Sequence, residues 1–126
     1  MNKILIAGGA GFLGSHLCDA LINDYKIYCL DDLSTGNVNN IKHLLDNQNF
    51  ELLNQDVCDP IDLRVDMIYN LASPASPIHY QKMPIKTSRT NVLGSINLLE
   101  LAVKNRAKIL LASTSEVYGD PLVEIQ

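Results

Sequence analysis

With 126 residues, 47% of them hydrophobic and 19% charged, the chain has room for one domain with a modest core and lacks the composition of a disordered protein. A net charge of −4 and a pI near 5.2 argue against the basic face that nucleic-acid binding requires, and no Lys/Arg run offers one locally. No stretch approaches a membrane span, and the four apolar residues ahead of the first glycines are too few for a signal-peptide core.

In chain order, "KILIAG" (3–8) is a short apolar run closed by glycines and predicts a buried strand. "FLGSHLCDALIND" (12–24) repeats Leu13, Leu17 and Leu21, with Cys18 and Ile22, at helical spacing. "KIYCLDD" (26–32) predicts a second strand ending in acid. A Gly- and Asn-rich turn, "LSTGNVNN", then leads to a short helix near 38–46. "FELLNQDV" (50–57) and "DMIYNLAS" (66–73) read as strands three and four. The longest predicted helix covers 84–105, with Pro84 in its first turn, where a missing N–H costs nothing. Val92, Ile96, Leu99 and Val103 recur there at the spacing of a core-facing stripe. Thr90, Gly94 and Asn97 form a second stripe, either solvated or turned to a ligand. "AKILLAS" (107–113) predicts a fifth strand.

Apolar strands alternating with helices imply an α/β protein, a parallel sheet covered on both faces. Right-handed crossovers make it a doubly wound sheet of order 3-2-1-4-5, a Rossmann arrangement in one domain. Cys18, Cys29 and Cys58 have no metal-ligand spacing and an odd count, so each reads as a small buried hydrophobe in a reducing compartment.

"GGAGFLG" (Gly8 to Gly14) follows a strand and opens a helix, the setting in which a glycine pattern is informative. Gly8 and Gly11 permit close backbone approach, Gly14 lets the helix lie against the sheet, and the helix N-terminus offers amides to a pyrophosphate. Asp31, 20 residues after Gly11, closes the second strand where an acid binds a ribose 2′-hydroxyl and repels a 2′-phosphate. Asp32 adds to that repulsion, so the cofactor expected is NAD. The competing reading is a tight turn with incidental glycines. Ligand is expected beyond the carboxyl ends of the strands: Gly8, Gly11, Phe12 and Leu13; Asp31, Asp32, Ser34, Thr35 and Gly36; Asp56 and Val57; Leu71, Ala72 and Ser73; and Ser113 to Glu116. Asp56 either borders the adenine or is a solvated loop acid. The prolines of "ASPASP", Pro74 and Pro77, stiffen the loop after strand four. Periodicity and spacing stop there and define no reaction.

"GGAGFLGSH", "LDDLSTG", "YNLASPASP", "PIKTSRTN" and "LLASTSEVYGDP", in this order, resemble the N-terminal part of the UDP-glucuronate decarboxylase family, within the extended short-chain dehydrogenase/reductase superfamily. The resemblance implies that NAD oxidises the sugar at C4, the resulting β-keto acid loses CO2, and hydride returns to give UDP-xylose. Thr114 falls at the active-site Ser/Thr, with a hydroxyl toward the C4 oxygen. Ser115 and Glu116 stand where sugar-nucleotide 4,6-dehydratases carry an Asp–Glu pair. CO2 departs without being protonated, and an acid beside a substrate carboxylate would repel it. Ser115 therefore favours decarboxylation over dehydration, and Glu116 argues against simple 4-epimerisation.

The same resemblance gives Thr90 as a cofactor contact, Asn91 as the asparagine behind the active site, and Arg89 and Asn97 as contacts to the UDP-sugar. Arg89 replaces the family's usual lysine. None of the five tyrosines has a lysine four residues later, so the family's Tyr-x-x-x-Lys and most of its sugar-binding domain are expected beyond Gln126, and Met1–Gln126 is expected to be an inactive NAD-binding part. The resemblance also implies a cytoplasmic homodimer. Two other readings stay open: another sugar-nucleotide 4,6-dehydratase or 4-epimerase, and a non-catalytic NAD-binding module.

Overall fold

The structure is a computed structural model that describes residues 1–120; Pro121, which closes the "LLASTSEVYGDP" stretch, lies outside the described residues. Five strands run Lys3–Ala7 (β1), Lys26–Asp31 (β2), Phe50–Asn54 (β3), Met67–Asn70 (β4) and Lys108–Leu111 (β5). All neighbours pair in parallel, in the order β3-β2-β1-β4-β5, as the alternation of the sequence predicts. The register sets Ile6 of β1 beside Cys29 of β2 and Tyr69 of β4. The order reverses direction between β1 and β4, which opens a crevice at the strands' carboxyl ends.

The alternation along β1 divides the core. Ile4 and Ile6 face one layer with Cys18 of helix α1 (Phe12–Leu21), Ile22, Cys29, and with Ile41 and Leu44, which sit between and within the 3₁₀ turns Val38–Asn40 and Lys42–Leu44. Leu5 and Ala7 face the other, with Leu98, Leu101 and Ala102 of a C-terminal helix and Val57 and Val65 of the β3–β4 connection. Each fully buried aliphatic side chain contributes about 1.5–3 kcal/mol. The two 3₁₀ turns stand where the sequence predicted one short helix; Asn37, accepting from the Asn39 amide, starts the first of them.

The predicted helix 84–105 is three segments in one continuous rod: Pro84–Arg89 (α3), a π turn over Thr90–Gly94, and Ser95–Asn105 (α4). A further helix, Pro77–Lys82 (α2), precedes it, starting at the last residue of the stiff "ASPASP" loop and running through a stretch to which the sequence assigned no element; Pro77 at its start is a helix-opening residue. Arg106 ends α4 with a φ of 54°, and the Ala107 amide bonds back to the Ala102 carbonyl at 2.9 Å.

Two expectations are corrected. Val92, Ile96, Leu99 and Val103 are not the core face: they are 63%, 45%, 51% and 79% exposed. The rod buries its other side, Thr90, Gly94, Leu98, Leu101 and Ala102, because small residues there let it lie close to the sheet. Nor is the sheet covered on both faces throughout. Leu110 and Leu111 of β5 are half-exposed or more, whereas β1 is enclosed. Cys18 and Cys29 are buried as expected, while Cys58 is only partly so.

Candidate functional site

The crevice is a cavity of about 1210 Å³ lined from all five strand ends. At its base the glycine loop turns back under its own hydrogen bonds. Gly8 donates to the Leu30 carbonyl at 2.8 Å and accepts from Gly11 at 3.2 Å. Its φ of +80° excludes most side chains, and an added Cβ would stand 2.7 Å from the Leu71 carbonyl oxygen. A Cβ at Gly14 would run into the Gly8 carbonyl, so α1 can start this close to β1 only with glycine there. No side chain caps α1. Its first-turn amides, at Phe12, Leu13 and Gly14, are therefore donors with no partner inside the helix, carried at the positive end of its dipole.

Asp31 is 8% exposed at the end of β2 and holds the loop from the side. Its Oδ2 accepts from the Ala10 amide and its Oδ1 from the Leu33 amide, both at 2.9 Å. The Ala10 carbonyl accepts from the Asn37 amide at 3.1 Å and from Asn40 Nδ2 at 2.9 Å. One residue thus links the glycine loop to β2 and to the chain that follows it. A carboxylate oxygen has two lone pairs, so Asp31 retains acceptor capacity toward a hydroxyl in the cavity.

Asp32 differs from the sequence reading in one respect. Its charge is not a bare source of repulsion, because Lys86 of α3 crosses the cavity to it, Nζ to Oδ2, at 2.5 Å. The same ammonium lies 4.0 Å from Asp56 Oδ2. Burial alone would push the Asp32 carboxyl up, but Lys86 and Ser34 outweigh it and hold it below the ordinary carboxylate value. The bond to Asp32, against some desolvation, raises Lys86. Sequence reasoning missed Lys86: its partner is 54 positions away, and no local pattern in the sequence marks the pair.

Every predicted cofactor residue lines this one cavity. Gly8, Gly11, Phe12, Leu13 and Gly14 come from the first strand end, and Asp31, Asp32, Ser34, Thr35 and Gly36 from the second. Asp56 and Val57 come from the third, Leu71, Ala72 and Ser73 from the fourth, and Thr90 from the rod. Thr114, Ser115 and Glu116 arrive from beyond β5. Thr114 starts the 3₁₀ turn Ser115–Tyr118 by accepting from the Glu116 amide at 3.3 Å, which leaves its own hydroxyl hydrogen to donate outward. Asn91 and Ser95 also line the cavity, and the Ser95 hydroxyl accepts from the buried Asn70 at 3.2 Å.

Arg89 and Asn97 do not line the cavity. Arg89 is exposed and lies beside Cys58. Asn97 directs its amide nitrogen to the carbonyls of Val57 at 3.0 Å and Asp59 at 3.3 Å, so it pins the β3–β4 connection from behind. Gly94 admits that connection: a Cβ there would stand 2.5 Å from Val57 Cγ1. Burial, then Asp56, keeps the Cys58 thiol raised, while the adjacent Cys18 thiol and then burial push Cys29 far up, so both stay protonated at neutral pH. Among the described residues no cluster of His, Cys, Asp or Glu is arranged to hold a metal ion, and no helix is long and apolar enough to cross a membrane.

A parallel 3-2-1-4-5 sheet with a glycine loop under its crevice defines a Rossmann-type α/β protein. The chain belongs to the family described as GDP-mannose 4,6 dehydratase, whose model matches residues 5–126. It is 53% identical to UDP-glucuronic acid decarboxylase 1 of Danio rerio over 126 residues, which is 99% of this chain and 30% of that protein. Among solved structures it resembles the UDP-Glc/GlcNAc 4-epimerase of Campylobacter jejuni, with a TM-score of 0.83 and 30% identity over 98% of this chain and 40% of that one. It also resembles the Bordetella bronchiseptica enzyme WbmG, solved in complex with NAD, with a TM-score of 0.81 and 26% identity over 98% of this chain and 41% of that one. The chain therefore spans about a third of the curated relative and two-fifths of each solved neighbour.

Proposed function

We propose that this chain is the NAD-binding part of a UDP-glucuronate decarboxylase that forms UDP-xylose. The observation that carries the reading is that the glycine loop, Asp31 and the Thr114–Glu116 segment line a single cavity. The fit to NAD rests on three features: a cradle that added Cβ atoms would fill, uncapped amides at the start of α1, and a buried acid at the end of β2. WbmG, a neighbour solved with NAD, supports the same choice.

In this reading NAD, when bound, supplies reversible hydride transfer. The Phe12 to Gly14 amides receive the pyrophosphate, Asp31 accepts from the adenosine ribose, and Asp56 and Val57 border the base. Thr114 donates its hydroxyl to the sugar's C4 oxygen. Glu116 manages the proton for C5 once the carboxylate has left, and uncharged Ser115 avoids repelling that carboxylate. Arg89, exposed and outside the cavity lining, is assigned to the diphosphate sugar on the resemblance alone. Asn97 serves it indirectly, by fixing the β3–β4 connection.

The close likeness to UDP-glucuronic acid decarboxylases favours loss of CO2, whereas the family's description points to dehydration and one neighbour's name to 4-epimerisation. A protein carrying this chain together with a Tyr-x-x-x-Lys segment should convert UDP-glucuronate to CO2 and UDP-xylose without net NADH. A 4-keto-6-deoxy product or a C4 epimer would overturn the decarboxylase assignment. Met1–Gln126 by itself should bind NAD in calorimetry and turn nothing over. The exposed Val92–Ile96–Leu99–Val103 stripe supports a homodimer through the rod. Three free cysteines fit a reducing, cytoplasmic location.

A further inference from the structure

We propose that Lys86 decides whether this site rejects or accepts a 2′-phosphate on the adenosine ribose, and that Asp32 keeps it in the rejecting state. The proposal rests on the dinucleotide reading above and deepens it. Asp31 holds the ribose position, but both its oxygens already accept backbone amides and it is enclosed. Beyond Asp31 itself, the charges that meet an added phosphate are Asp32, Asp56 and Lys86, which line the same cavity.

A 2′-phosphate brings about −1.5 to −2 at neutral pH. Dinucleotide sites that accept it do so with a cation close to the acid that closes the second strand. Lys86 is such a cation. Its ammonium is 2.5 Å from Asp32, the residue after that acid, and 4.0 Å from Asp56. While Asp32 is ionised, the ammonium is engaged and the phosphate meets net negative charge. With the charge of Asp32 removed, Asp56 at 4.0 Å is too distant to replace the direct bond, and the ammonium turns to the phosphate. The rejection of NADP is thus a property of the ion pair, not of the acids alone.

The test is calorimetric titration of the wild-type chain, Asp32→Asn and Asp32→Asn/Lys86→Met with NAD and with NADP, each protein first checked for native far-UV circular dichroism. Asp32→Asn should tighten NADP relative to NAD by roughly tenfold or more, as a new charge-assisted bond does. Adding Lys86→Met should abolish that gain. If Asp32→Asn does not fold, Asp32→Ser takes its place with the same expected outcome. An unchanged NADP affinity relative to NAD in the folded Asp32 variant, or a gain that survives Lys86→Met, overturns the role of Lys86 and leaves the NAD site standing. A folded wild type that binds neither dinucleotide overturns the site reading, and this inference with it.

Discussion

Ala10 and Asp31 show how much of the site a single contact can hold. The Ala10 amide is buried, and Asp31 Oδ2 is its acceptor. Replacing Asp31 with Ala should cost about 1–3 kcal/mol, because it orphans that donor and the Leu33 amide. Urea unfolding would read the loss, and NAD affinity should fall by more than tenfold. A variant of wild-type stability and affinity would remove Asp31 from the site. Asp31 was legible in the sequence because its spacing from Gly11 is a chain-local signal. Lys86 was not, because nothing local marks a lysine whose partner is folded in from another strand end. Asn97 was expected at the UDP-sugar; its amide instead bonds the Val57 carbonyl, a contact that depends on how the β3–β4 connection folds back.

Among the elements, the strands and their order were readable because buried parallel strands are unbroken apolar runs closed by glycine or acid. The rod was readable in extent but misread in orientation. It carries apolar residues on two sides: Val92, Ile96, Leu99 and Val103 face outward, while Gly94, Leu98, Leu101 and Ala102 seat it on the sheet. Gly94→Ala should clash with Val57 Cγ1, partly offset by alanine's better helix propensity of about 1 kcal/mol. Combining it with Val57→Ala should recover at least ~0.5 kcal/mol relative to the sum of the single changes. Strict additivity would mean that the two do not press on each other.

The tie between α3 and β2 has its own pH dependence. Asp32 is held below its ordinary value, so the pair's contribution is present above the ordinary carboxylate pKa and fades as pH falls through the lowered one. Lys86 is raised, so the contribution persists below the ordinary lysine pKa and fades only as pH climbs through the raised value. The stability difference between wild type and Asp32→Asn/Lys86→Met should be flat from roughly pH 5 to 9 and shrink below about 4. A difference that grows in acid would contradict the pairing.

For the whole molecule, the uncovered stripe of the rod bears on assembly. Leu99→Glu/Val103→Glu alters side chains that are 51% and 79% exposed, so unfolding should shift by no more than about 0.5 kcal/mol. Sedimentation should change from dimer to monomer if the stripe is the dimer face, and a dimer that persists would place that face elsewhere. The π turn over Thr90–Gly94 has a different consequence. An α-helix advances about 100° per residue, so the extra residue in that turn sets the angular phase between α3 and α4. A chain shortened by one residue there would keep α4 seated by Leu98 and Leu101 but rotate α3 about its axis. Lys86 would swing away from the strand ends, and the cleft would lose the lysine contact to Asp32 without any change in side-chain chemistry.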